Sequence, residues 1–138
     1  MTTASVSIAG PKTLGEAIDV IEEAYEFMLA YAAQGRRGED DDAGSGIRER
    51  LARAQAALAI IAAAKLEDVA KAPGAGATAE FLDVVRQDAA RARAAFAFVS
   101  AQSAIGSQII DNLNASTHVR TLLTDLFLLD EALKISGI

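Results

Sequence analysis

The chain has no cysteine and no tryptophan, a single histidine (His118), two prolines and few aromatic side chains, which make up 5% of its 138 residues. Without cysteine there is neither a disulfide framework nor a thiolate metal site. One histidine cannot supply the two Glu-x-x-His motifs of a di-iron bundle, and the residue three before it is Ala115. No cofactor and no metal ion are therefore expected. Long apolar runs are also missing. The longest uncharged stretch, Ala94 to Ile110, contains Ser100, Gln102, Ser103, Ser107 and Gln108. It is shorter and more polar than the roughly 20 mostly apolar residues of a membrane span, so no membrane insertion is expected. Met1 to Gly10 carries no basic cluster and no apolar core of the signal-peptide kind, which suits a cytoplasmic setting.

What is present is helix-forming. Hydrophobic residues make up 51% of the chain, much of that alanine, and charged residues 23%. This composition and length suit one globular domain with closely approaching helices. The formal net charge of −6 opposes general nucleic-acid binding. Arg36-Arg37, Arg48/Arg50/Arg53 and Arg86/Arg91/Arg93 are local basic clusters, but each has acidic neighbours, as solvated helix faces do.

Residues 1–12 read as a flexible arm, in which Val6 and Ile8 alternate with serine, and 13–138 as the domain. Thr13-Leu14-Gly15-Glu16 is a capping-box signature and should open the first helix. Leu14, Ile18, Ile21, Tyr25, Met28 and Ala32 then follow the helical period, and Val20, Ala24, Phe27 and Tyr31 form a second stripe beside them. Gly35 is the expected C-cap. Gly38 to Gly46, with Glu39-Asp40-Asp41-Asp42 followed by glycines, reads as a mobile acidic loop. The second helix should run from Ile47 to Lys71 and end at Pro73-Gly74, with Leu51, Ala54, Leu58 and Ile61 on its inner face. The third should be capped by Thr78 and continue to Leu113, with small residues (Ala92, Ala95, Ser103, Gly106) at its centre and Asp88 on the same seam, where burial would demand a partner. Asn112-Leu113-Asn114 suits a turn. Ser116 or Thr117 should cap the fourth helix, which carries Val119, Leu122, Leu123, Leu126, Phe127, Leu129 and Leu133. The pattern predicts an all-α fold, an antiparallel four-helix bundle in one domain.

Few residues carry chemistry. The carboxylates between Glu16 and Glu26 share a wet helix face, where nothing separates their pKa values for acid–base work. Asp40 to Asp42, near Gly44 and Gly46, miss the calcium-loop register, which needs glycine at its sixth position and glutamate at its twelfth. Gly74 to Thr78 lacks the Gly-Lys-Ser/Thr ending of a phosphate loop. His118 could be a phosphoacceptor in a four-helix signalling bundle, but the first turn of a helix followed by Val119-Arg120-Thr121 differs from the mid-helix, lysine-flanked setting of such domains. Tyr25, Met28, Phe96 and Phe98 could line a small-molecule pocket. The more prominent feature is surplus apolar surface on the first and fourth helices, which suits a protein partner or a homodimer. Val20, Phe27, Tyr31, Leu123 and Phe127 are the candidate contact residues.

Glu22-Glu23-Ala24-Tyr25-Glu26-Phe27-Met28-Leu29, Arg53-Ala54-Gln55 and Gly76-Ala77-Thr78-Ala79-Glu80-Phe81-Leu82 give the chain a layout that resembles the flagellin export chaperones. These are small bacterial cytosolic bundles that hold the helical tail of an export substrate. The matching segments cover about a fifth of the chain. The third helix is longer and richer in alanine than in that family. The resemblance implies a chaperone or adaptor role without catalysis and assigns no functional residue.

Overall fold

The computed structural model describes residues 10–38, 46–69 and 74–135. The arm with Val6 and Ile8, the acidic run Asp40 to Asp42 and the Pro73 stop lie outside the described residues. Five α-helices are found among those described: α1 (Leu14–Ala32), α2 (Ile47–Ala62), α3 (Ala75–Ser100), α4 (Ser107–Ala115) and α5 (Thr117–Ile135), with a short 3-10 turn at Leu66–Val69. The all-α class holds, but the helices number five where four were expected.

The start of α1 follows its sequence signal. The Glu16 amide donates to Thr13 Oγ1 at 3.1 Å, and the Thr13 amide donates back to Glu16 Oε1 at 3.3 Å. Each bond satisfies a donor that the first helical turn leaves open. The inner stripe (Leu14, Ala17, Ile18, Ile21, Ala24, Met28, Tyr31) is buried. At the other end the helix stops at Ala32, and Gly35 adopts φ +67° beyond it.

Three boundaries differ from expectation, and at two of them tertiary contacts outweigh local propensity. The second helix ends at Ala62 rather than Lys71. The chain then tightens into the 3-10 turn, with the Lys65 amide held by Asp68 Oδ2 at 2.8 Å and Val69 sunk in the core. The Arg86 guanidinium of α3 takes the freed Ala64 carbonyl at 2.9 Å. The third helix begins at Ala75 after an αL Gly74, so Thr78 is not its cap. That helix is also not continuous to Leu113: it breaks between Ala101 and Gly106, and α4 runs through the expected Asn112–Asn114 turn to Ala115. Ser116 alone, in extended conformation, separates α4 from α5.

The break is held from outside. Arg48, in the first turn of α2, donates to the carbonyls of Ser100 (3.0 Å), Gln102 (2.8 Å) and Ser103 (3.2 Å). Those oxygens would otherwise accept the next helical amides. Ile105 is fully buried, and the Tyr31 hydroxyl donates to its carbonyl at 2.5 Å. The Ser107 amide donates to Arg36 O at 2.8 Å, the Arg36 amide to Ser107 Oγ at 2.8 Å, and the Ser107 hydroxyl to Tyr31 O at 2.7 Å. A Cβ on Gly106 would lie 2.7 Å from Arg36 O and 2.8 Å from Arg37 O. The small residues near the centre of the expected third helix therefore do admit a neighbouring backbone, but at a break.

Helices α1 and α2, α2 and α3, and α3 and α5 run antiparallel. Arg50 of α2 covers Phe27 of α1, Arg48 meets the end of α3 while Arg86 meets the end of α2, and Asp88 of α3 meets Asp125 of α5. Alanines 54, 57, 89 and 92 have no exposed surface, which lets α2 and α3 pack closely. The short α4 lies against α1 and also touches α3 and α5, so it covers apolar surface of α1 that the sequence left over.

Candidate functional site

The surplus apolar surface is distributed unequally. Of the five candidate contact residues, Tyr31 (1% exposed) and Leu123 are core. Val20 and Phe27 are half-buried. The Arg50 guanidinium lies 4.5 Å from the centroid of the Phe27 ring, which stacks on Tyr31 at 6.3 Å. Val20 lies beside Glu23, Arg50 and Arg53. Helix α1 thus spends most of its second stripe inside the chain, through cation–π contact and burial. Phe127, on α5, is 54% exposed.

Phe127 belongs to Leu126-Phe127-Leu128-Leu129. Four consecutive residues at 100° spacing sweep most of a helix circumference, so one packed side cannot bury them all. Leu126 and Leu129 are buried, whereas Phe127 and Leu128 (59% exposed) face outward. Leu128, Leu129 and Ala132 of α5 meet Ala77, Thr78 and Phe81 of α3 across an open groove of about 290 Å³ whose walls are almost wholly apolar. Val84 and Phe98 of α3 are also exposed. Sequence reasoning missed Leu128 and the α3 wall, and the four-residue apolar run was the signal that could have found them.

At the inner end of the same seam are two carboxyl groups. Asp125 is 7% exposed, and its Oδ2 has no hydrogen-bond partner among the described residues when both acids are ionised. Its neighbour across the seam is Asp88, itself paired with Arg91 Nη1 at 3.1 Å. A carboxylate only accepts, so a carboxyl–carboxyl hydrogen bond requires a proton on one of them. Burial first, and then the hydrogen bond and the charge of Asp88, push Asp125 up from 3.8 to about 7. Asp88 has the partner that its place on the seam called for. Asp125 lies three residues after Leu122 and four before Leu129, within a row read as apolar, and sequence reasoning missed it.

The other candidates are placed as follows. His118 is exposed in the first turn of α5, and no described residue hydrogen-bonds to it. Glu16, Asp19, Glu23 and Glu26 lie on the exposed face of α1. The suggested small-molecule pocket does not form from its four residues. Met28 and Phe96 are core, whereas Phe98, two residues and about 200° further round α3, is 68% exposed. Among the described residues no three ionisable side chains are grouped to hold a metal ion, and no helix is long and apolar enough to cross a membrane.

The chain matches no family model, no curated protein and no solved structure.

Proposed function

We propose that this protein acts by holding a helical segment of a protein partner in the α3–α5 groove, as an adaptor or chaperone-like protein of the cytoplasm and without catalysis of its own. In this view α4 and α5 together form the fourth, kinked member of a four-membered bundle, and the seam between α3 and α5 is left open. The observation that carries the proposal is the exposure of Leu128 on the wall of an apolar groove also lined by Phe81, Leu129 and Ala132. An amphipathic helix docks in such a groove through residues spaced one turn apart. Covering a side chain that is about half exposed, as Leu128 is, contributes roughly 1 kcal/mol, before the cost of ordering the partner. The resemblance to flagellin export chaperones, which hold a substrate's helical tail, points the same way.

The test compares the native chain with Leu128→Asp, expressed in the source cell, by native mass and affinity recovery. A partner or a homodimer present with the native chain and lost with the variant, at unchanged helical content, is the expected result. Identical monomers with nothing bound would overturn the proposal.

A further inference from the structure

The stripes that form the groove continue past its apolar lining. On α3, Ala77, Phe81, Val84 and Asp88 recur at steps of four and three; on α5, Asp125, Leu128 and Ala132 do the same. Because the helices are antiparallel, Phe81 falls beside Leu128 and Leu129, and Asp88 beside Asp125. The groove is therefore apolar along its length and ends on a pair of acids. Glu80 and Glu131 are exposed on the two helices that form it, and the whole chain carries a net charge of −6. A second copy would bring the same acids to the same place, whereas a basic partner would complement them.

Resting on the groove reading above, we propose that the occupant is an amphipathic helix of a protein partner that bears a lysine or arginine at one end of its apolar face, and that this cation sits against the Asp88–Asp125 pair. The cation does electrostatically what the proton does in the free chain: set against the pair at the partly exposed Asp88, it offsets the like charge that faces the buried Asp125. Binding then releases that proton.

The charged surroundings of the pair are simple. From α3, Asp88 meets Asp125, and Arg91 pairs with Asp88. On α4, which packs against both helices, Asp111 is the one ionisable residue and is exposed. On α1, which touches α5 only slightly, Glu16, Asp19, Glu23 and Glu26 are exposed and Glu22 is half-buried. The sign of the pH dependence follows. Asp125, pushed up to about 7 in the free chain by burial and Asp88, is brought down when a cation arrives. The free chain then holds more protons than the complex, so affinity rises with pH up to about 7 and is level above it.

Two labelled synthetic amphipathic helices serve as probes, identical except for lysine or glutamine at one end of the apolar face. Binding to the full chain is followed by fluorescence anisotropy at about pH 5.5 and pH 8. The expected result is a preference for the lysine peptide of about tenfold at the higher pH, shrinking to about twofold at the lower. Asp125→Asn should abolish the preference for the lysine peptide and its pH dependence. Leu128→Asp should abolish binding of both peptides. Equal affinity for the two peptides at both pH values, still lost in Leu128→Asp, would overturn the cation while sparing the groove. Failure of both peptides to bind would overturn both. Binding that emerges only after removal of residues 1–9, or a dimer in sedimentation that Leu128→Asp dissolves, would name the chain's own arm or a second copy as the occupant and overturn the basic partner.

Discussion

The α1–α4 junction and the α3–α5 seam are built from the same kinds of residue and finish differently. At the junction, Tyr31, Arg36, Arg48 and Ser107 hold the break in the chain through a chain of hydrogen bonds, and Gly106 fits where no side chain could. One neutral acceptor there, Asn114 Oδ1, has no donor, while its Nδ2 donates to Met28 O at 3.2 Å. At the seam, Leu128 stands exposed and a buried carboxyl lacks a donor unless it carries a proton. An unpaired carboxylate costs far more than an unpaired amide oxygen. The junction is closed on itself. The seam is completed by something else, a proton in the free chain and, we propose, a cationic helix in the complex.

The most severe way to break the comparison is to attack the closed side. Gly106→Ala should cost about 3 kcal/mol or more in urea unfolding, because both clashing atoms are backbone and cannot swing away. The cost is steric and not conformational, since φ −94° suits any residue. A cost below about 1 kcal/mol would mean that the junction is loose.

The open side should respond to protons. Asp125 titrates near 7 in the folded chain against 3.8 when unfolded, so the folded state holds the extra proton between those values. Stability is then fullest below about pH 4 and declines as pH rises through 7, by on the order of 4 kcal/mol in all, of which about 2–3 kcal/mol falls between pH 5 and pH 8. Thermal unfolding of the native chain at pH 5 and pH 8 should show this, and Asp125→Asn should flatten it while raising stability at the higher pH. A stability that instead increases between those values would assign the pair the wrong protonation.

Smaller effects sharpen the contrast. Arg48→Met keeps the apolar stem and removes three carbonyl contacts, and should cost about 1–2 kcal/mol, with faster amide exchange confined to the break. Leu128→Ser should leave stability within about 0.5 kcal/mol, because the side chain is mostly in water. His118→Ala should alter neither folding nor binding; loss of a measurable activity in a folded variant would favour the signalling reading.

The sequence made visible whatever depended on local order. The Thr13–Glu16 capping box, the stripes of α1 and the inner faces of α2 and α5 needed only neighbours along the chain. It did not show the break in the third helix, because the groups that hold it, Tyr31, Arg36 and Arg48, lie more than fifty residues away in sequence. Gln102-Ser103-Ala104-Ile105-Gly106 reads equally well as a small-residue helix face until those donors are known. The candidate site was half legible. Phe127 and Asp88 were singled out, but the surplus on α1 went to Arg50, Arg53 and α4, which no periodicity in α1 reveals. Asp125 was hidden among leucines whose stripe drew the eye away from it.

Amide hydrogen exchange of the full chain, with and without the lysine-bearing helix, tests the comparison most directly. The expected footprint is added protection along Ala77–Asp88 and Thr121–Ala132, with residues 101–107 already protected and unchanged. Added protection at the α1–α4 junction, or along α1 around Val20 and Phe27, would contradict the assignment of the open side.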